Sequence, residues 1–161
     1  LALSENDFVF TAGLGLAAAP LVGPGGTVVL SDVVAEMTAI AAARAAAMGL
    51  GNVTARSLDL EQIAEPDGTY DAVLCRDCLV HLSFEHILRA IDNIRGSGAR
   101  YLLTTTFLEH EQNEDIEDGD WRMLNLRRPP FDFASPVDVL IEGCVEGDGA
   151  YADKALGLWA L

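Results

Sequence analysis

Residues 8–32 read FVFTAGLGLAAAPLVGPGGTVVLSD, and the order of the parts within them decides the fold class. FVFTAG at 8–13 is an apolar, β-prone run ending in glycine, so it reads as a strand entering a tight turn. Leu16 to Val22 reads as a short helix, GPGG at 23–26 as a turn, and TVVLSD at 27–32 as a second strand. Strand, glycine turn, helix, strand is the repeating unit of a parallel sheet covered on both faces. The same stretch carries no charge from 8 to 31, long enough to raise the question of a membrane span. Five glycines and two prolines interrupt it, and residues of that kind end helices, so no span is expected. It also lacks the basic flank and cleavage region of a secretory signal.

Working outward, the alternation continues. An alanine-rich helix is expected to about Met48, stopped by GLGN at 49–52, whose glycines can take the left-handed conformation of a helix end. NVTARSLD gives a third strand, EPDG at 65–68 turns the chain, and TYDAVLC gives a fourth. Phe84, Ile87, Leu88, Ile91 and Ile94 recur at helical spacing behind Ser83 as an N-cap, with Gly96 at the exit. ARYLLTTTF at 99–107 is a near-continuous apolar run, as expected of a strand buried on both faces. After it, an acidic segment, a proline-bearing segment near RRPPFDF and the final run KALGLWAL are the candidates for one or two further strands at the sheet edge. The expected fold is therefore α/β, a doubly wound, mostly parallel, Rossmann-like sheet of six or seven strands with an antiparallel C-terminal edge.

The 161 residues, half of them apolar, suit a single domain over 1–161 with one core. Twenty-five acidic against ten basic residues give a formal charge of −15. That charge repels phosphate backbones and anionic membrane surfaces, so neither nucleic acid nor membrane is an expected partner. Three cysteines do not make a disulfide framework, and a reducing, cytoplasmic setting follows. The chain starts at Leu1 without a methionine, and its natural N-terminus is expected to lie upstream.

In such sheets ligands bind beyond the carboxyl ends of the strands. Gly13, Gly15 and Ala18 form a G-x-G-x-x-A spacing after the first strand, where glycine lets a ligand approach the backbone and the next helix offers free N–H groups. An ordinary turn would look the same. Asp32 closes the second strand, about twenty residues on, where a carboxylate can accept hydrogen bonds from a ribose diol; the competing role is a helix cap. Asp59 and Leu60 follow the third strand and place an acceptor and an apolar surface where an adenine base could lie.

From GPGGTVVLSDVVAEM through GLGNVTARSLDLEQIAEPDGTYDAVLC, the chain resembles class I S-adenosylmethionine-dependent methyltransferases, in particular those grouped with quinone-biosynthesis enzymes. That family has an acidic residue ending strand two, an Asp-Ala or Asp-Leu pair after strand three and a Phe/Tyr-Asp opening strand four. Asp32, the Asp59–Leu60 pair and the Tyr70–Asp71 pair stand in those places. The later stretch RDCLVHLSFEHILRAIDNIRGSGARYLLTTTF, with LNLRRPPFDF and GAYADKALGLWAL, is similar to bacterial methyltransferase-like proteins of unassigned substrate. The resemblance covers about 27–161. It implies S-adenosylmethionine as cofactor, held by Thr11, Ala12, Gly13, Gly15, Asp32, Val33, Asp59, Leu60 and Arg76, and methyl transfer to a small-molecule acceptor without a metal. Asp77 and His81, after the fourth strand, are the candidates for orienting or deprotonating the nucleophile; their competing roles are a helix cap and a surface residue.

The family's first strand ends in an acidic residue followed by G-x-G-x-G, and here Val9 and Thr11 stand at the acidic place and the first glycine. A non-catalytic fragment or binding module of the same fold is therefore one alternative. An NAD(P)-dependent oxidoreductase is another, because the glycine spacing with a downstream aspartate also suits a dinucleotide. Cys75 and Cys78 form a C-x-x-C without a second pair, which reads better as small apolar residues at a strand end than as redox or zinc chemistry. The acidic segment 108–120 reads as a solvated loop, with a lid over a cationic substrate as its other possibility. Trp121 and Trp159 read as packing groups.

Overall fold

The computed structural model describes residues 15–22, 25–60 and 70–161. The expected first strand, and with it Thr11, Ala12 and Gly13, lies outside the described residues. Two compact units divide between residues 62 and 63.

In the first unit, a helical turn opening at Gly15 runs into a single 3-10 turn, Ala19–Leu21. Strand β1 (Val28–Asp32) pairs in parallel with β2 (Val53–Ser57), from Val28 opposite Val53 to Asp32 opposite Ser57. Helix α1 (Ala35–Ala47) joins them. A parallel pair needs such a crossover because its strands must start at the same end of the sheet. Leu16, Leu30, Ala41 and Ala45 form the buried core, with Val28, Met37, Leu50, Val53 and Ala55 against it. Alanine contributes little area, so α1 leans on high intrinsic helix propensity. Gly49 takes φ +70° just after the helix, as GLGN predicts. Asn52 ties the unit together by donating from its side chain to the Ala19 carbonyl at 2.8 Å.

In the second unit, the strand order is β3 (Ala72–Cys75), β4 (Tyr101–Phe107), β6 (Lys154–Ala160), β5 (Asp138–Ile141). β3 and β4 are parallel, whereas β6 runs antiparallel to both β4 and β5. The α/β class and the antiparallel C-terminal part are as expected, but the run KALGLWAL lies inside the sheet between β4 and β5 rather than at its edge, and RRPPFDF forms turns instead of a strand. Central β4 is almost wholly buried, and edge strand β5 is exposed along its length.

Helix α2 (Phe84–Gly96) buries Ile87, Ala90, Ile91 and Ile94, and each fully buried isoleucine contributes about 1.5–3 kcal/mol. Leu88, counted in the expected stripe, is 43% exposed, and Ala90 takes its share of the face. Residues at i, i+3, i+4 and i+7 share one side of a helix, and the residue next to Ile87 falls off it. Ser83 occupies the N-cap position, yet its side chain makes no capping bond. The cap comes instead from the acidic segment. Asp118 accepts the Ser83 N–H and Asp115 the Phe84 N–H, both at 2.7 Å. At the exit Gly98, two residues past Gly96, takes the left-handed conformation with φ +74°. Among the described residues, no helix is long and apolar enough to cross a membrane.

Candidate functional site

β1 and β2 end at the Asp32 turn. Asp32 is half-buried, and its Oδ1 accepts the Val34 N–H at 2.8 Å. Burial pushes its carboxyl pKa up, against the lowering effect of the Val34 and Val33 N–H donors. The ionised carboxylate is thus short of donors, although it has acceptor positions beyond those two bonds. Val33 is exposed, and its carbonyl accepts the Ser57 hydroxyl at 3.3 Å. Asp59 and Leu60 follow β2, both half-buried. Gly15 is buried, and an added Cβ there would run into the Leu30 side chain. Close packing on β1 is therefore sufficient reason for a glycine at that position.

β3 and β4 end at a different arrangement. Arg76 and Asp77 follow β3 directly, and Asp77 has φ +51°, a conformation that aspartate tolerates better than most residues. Thr105 of β4 holds it there, since its hydroxyl oxygen accepts the Asp77 N–H at 2.8 Å and its hydroxyl donates to Asp77 Oδ1 at 3.3 Å. The two Asp77 oxygens meet two cations, Lys154 Nζ at Oδ1 and Arg76 at Oδ2, each at 2.8 Å. Arg76 Nε also donates to Glu142 Oε1 at 2.6 Å, and Lys154 Nζ lies 3.8 Å from Glu142 Oε2. These four side chains are between 9% and 15% exposed. Two positive and two negative groups at that depth compensate one another, which is the condition for burying charge at all.

The topology explains why they meet. β4 and β6 are antiparallel, with Phe107 at the end of one opposite Lys154 at the start of the other. β5 closes the row, so Glu142, just past its last residue, arrives at the same end, where its N–H donates to the Lys154 carbonyl. Lys154, Glu142 and Thr105 were not among the residues singled out from the sequence. Lys154 is the only lysine of the chain and opens the last apolar run, and that was the one signal on offer.

His81 lies apart from this cluster in its bonding. It ends a 3-10 turn, Leu79–His81, and its Nδ1 is 2.9 Å from the Asp120 carbonyl. A carbonyl only accepts, so Nδ1 carries the hydrogen and neutral His81 keeps its lone pair on Nε2. The acidic segment expected to be a solvated loop is fastened here. Gly119 N–H donates to the His81 carbonyl, Arg122 donates to the carbonyls of Leu79 (3.1 Å) and Leu82 (2.7 Å), and His86 Nδ1 rests on Asp118 Oδ2. Burial pulls the Arg122 guanidinium down to about 10, still charged at neutral pH. The loop is ordered because its aspartates meet otherwise unpaired N–H groups at the start of α2.

Of the cysteine pair, Cys75 is buried, and a hydrogen bond with Cys78 and burial both push its thiol pKa up. It is therefore a poor nucleophile at neutral pH. Trp159 is 2% exposed, lies over Gly157 and donates from Nε1 to the Ala134 carbonyl, a packing role, while Trp121 is 44% exposed beside Phe107 and Tyr151.

Residues 10–97, just over half of the chain, match the family model described as a methyltransferase domain. The chain belongs to that family, the class I S-adenosylmethionine-dependent methyltransferases. Among solved structures it is similar to protein PH0226 from Pyrococcus horikoshii, at TM-score 0.59 and 16% identity, covering 84% of this chain and 72% of that one. It is similar also to a SAM-dependent methyltransferase from Aquifex aeolicus, at TM-score 0.51 and 24% identity over 66% of this chain and 57% of that one. A third similar structure is the 4+2 cyclase SpnF, at TM-score 0.56 and 22% identity over 73% of this chain and 44% of that one. Identities this low establish the fold, and the fold carries more than one chemistry. The chain spans about half the length of the last two structures. Comparison with curated proteins gives no sequence match.

Proposed function

We propose that residues 1–161 act as one S-adenosylmethionine-dependent methyltransferase domain with a small-molecule acceptor, in a reducing, cytoplasmic setting in keeping with the free thiols of Cys75, Cys78 and Cys144. The observation that carries the proposal is the Asp32 turn. Its carboxylate sits at the carboxyl end of a parallel strand, half-buried, with burial outweighing the two N–H donors that reach it. A ribose diol supplies the missing donors. In this reading Thr11, Ala12, Gly13 and Gly15 serve the methionine and sugar end, Val33 backs the ribose, and Asp59 with Leu60 takes the base. Arg76 serves through its backbone, its side chain being committed to Asp77 and Glu142.

The cofactor, when bound, presents an electrophilic methyl group, and this chain's task is then to position a nucleophile and take its proton. Asp77, with each oxygen on a cation, is suited to holding and orienting. His81, with Nδ1–H fixed on the Asp120 carbonyl, offers Nε2 as the base.

The test is isothermal titration of the purified chain with S-adenosylhomocysteine, with NAD as control. The expected result is S-adenosylhomocysteine binding that weakens at least tenfold in Asp32→Ala, with NAD inert. Binding of NAD alone would move the assignment to an oxidoreductase. A folded chain that binds neither would make it a non-catalytic member of the fold, in line with Val9 and Thr11.

A further inference from the structure

We propose that Arg127 and Arg128 form a recognition site for a carboxylate or phosphate group, separate from the cofactor contacts above and not dependent on them. The argument starts from charge. In a chain of ten basic and twenty-five acidic residues, cations are readily taken up by carboxylates. Arg76, Arg89, Arg95, Arg100 and Lys154 each have an acidic partner, and Arg122 is held by two carbonyls. Arg127 and Arg128 are adjacent, exposed, and, among the described residues, without an ion pair or a side-chain hydrogen bond. Two cationic side chains that line one depression repel each other, and an anion bound there relieves that repulsion.

The surroundings are built rather than incidental. The two arginines line a polar depression of about 90 Å³ together with Leu108 and Asn125. Ligand pockets for whole metabolites run to about 300–1,000 Å³, so this one takes a single group. Asn125 is 1% exposed and fixes the floor. Its Nδ2 donates to the carbonyls of Leu108 (3.2 Å) and His110 (2.8 Å), and its Oδ1 accepts the Arg127 N–H at 3.1 Å. Asn113, also buried, holds the same segment from the other side, donating to the carbonyls of Asn125 (2.9 Å) and Arg128 (3.3 Å). The backbone that carries both arginines is thus held in place, and preorganisation of that kind is what lets a planar guanidinium meet a carboxylate or phosphate in two parallel bonds. Leu108 directly follows β4, which puts the depression at the carboxyl end of that parallel strand, the ligand side of such sheets.

The experiment titrates the full chain with inorganic phosphate and, separately, with succinate, following backbone amide shifts by NMR. The expected result is saturable millimolar binding of at least one of the two, with shifts confined to residues 108–113 and 124–128. That binding should weaken at least tenfold in the Arg127→Ala, Arg128→Ala double variant and keep its strength in Arg44→Ala, which removes another exposed arginine. Preference for phosphate or succinate tells which anion the site takes. No saturable shift with either probe, or an equal loss in the Arg44→Ala chain, would overturn the proposal, the latter because it would reveal only general attraction. A thermal melt of each variant secures that a loss reflects the site.

Discussion

Asp32 closes a parallel strand and Asp77 follows one, both precede a helical segment, and both read from the sequence as ligand-facing. The structure gives them opposite environments. Among the described residues, Asp32 meets backbone N–H groups alone, and burial outweighs them in raising its carboxyl pKa. Asp77 is met by Arg76, Lys154 and Thr105 and is held at positive φ. A carboxylate with spare acceptor positions has room for further donors, whereas one met by cations is fixed in place by them. Position at a strand end selects candidates; the partners of the side chain sort them.

The comparison can be broken most forcefully at Asp77. Asp77→Ala removes a carboxylate that Arg76 and Lys154 share, and breaking a buried pair in this way costs about 3 kcal/mol. Urea denaturation is expected to reveal that loss as a lower midpoint, with an unchanged slope. A change below about 0.5 kcal/mol would mean that the cluster is screened by solvent like a surface pair.

Asp118 provides an intermediate case, a carboxylate that serves backbone donors but caps a helix. Asp118→Ala is expected to cost about 1 kcal/mol, the usual worth of an N-cap. Its pKa is lowered mainly by the Ser83 N–H, with His86 adding to it. A carboxyl whose folded pKa lies below its unfolded one contributes stability that is complete above the unfolded value and is lost as the pH falls through the folded value. The cap should therefore hold at neutral pH and fail as the pH drops below about 4. Thermal melts of wild type and Asp118→Ala that converge in acid are the expected signature; a constant gap down to pH 2 would refute it.

The smallest effect on stability belongs to Asp32. Its folded pKa is raised, so its contribution is fully present below the unfolded pKa and is lost as the pH rises through the folded one. At pH 7 the ionised side chain therefore opposes folding slightly. Asp32→Asn should melt at the same temperature as wild type or a little above it, while losing S-adenosylhomocysteine binding. A clear drop in melting temperature would mean that Asp32, like Asp77, carries stability through its bonds.

Much of the fold was legible because periodicity reports directly on burial. The run TVVLSD, the Ile87, Ile91 and Ile94 spacing and the apolar YLLTTTF each became the expected element within a residue or two. Local pattern could not anticipate partners supplied from far along the chain. The distance in sequence from Asp77 to Lys154, or from Ser83 to Asp118, leaves no trace in the composition around either residue. The acidic segment is the exposed loop expected, and its capping bonds went unforeseen for that reason, since solvated and capping aspartates look alike until the helix they cap is in place.

The sequence by itself determined the alternation of strands and helices, the parallel character of the early strands and the placing of Asp32, Asp59 and Asp77 after them. It could do so because these follow from which residues avoid water and which end regular structure. Only the tertiary structure decided which groups Asp32 and Asp77 meet. It set β6 antiparallel to β4, so that Lys154 arrives opposite Phe107 beside Asp77 and Glu142. It laid the acidic segment across the start of α2, and among the described residues it gave Arg127 and Arg128 no carboxylate partner. Charge and hydrogen bonding act over a few ångströms of space, and that neighbourhood exists only once the chain has folded.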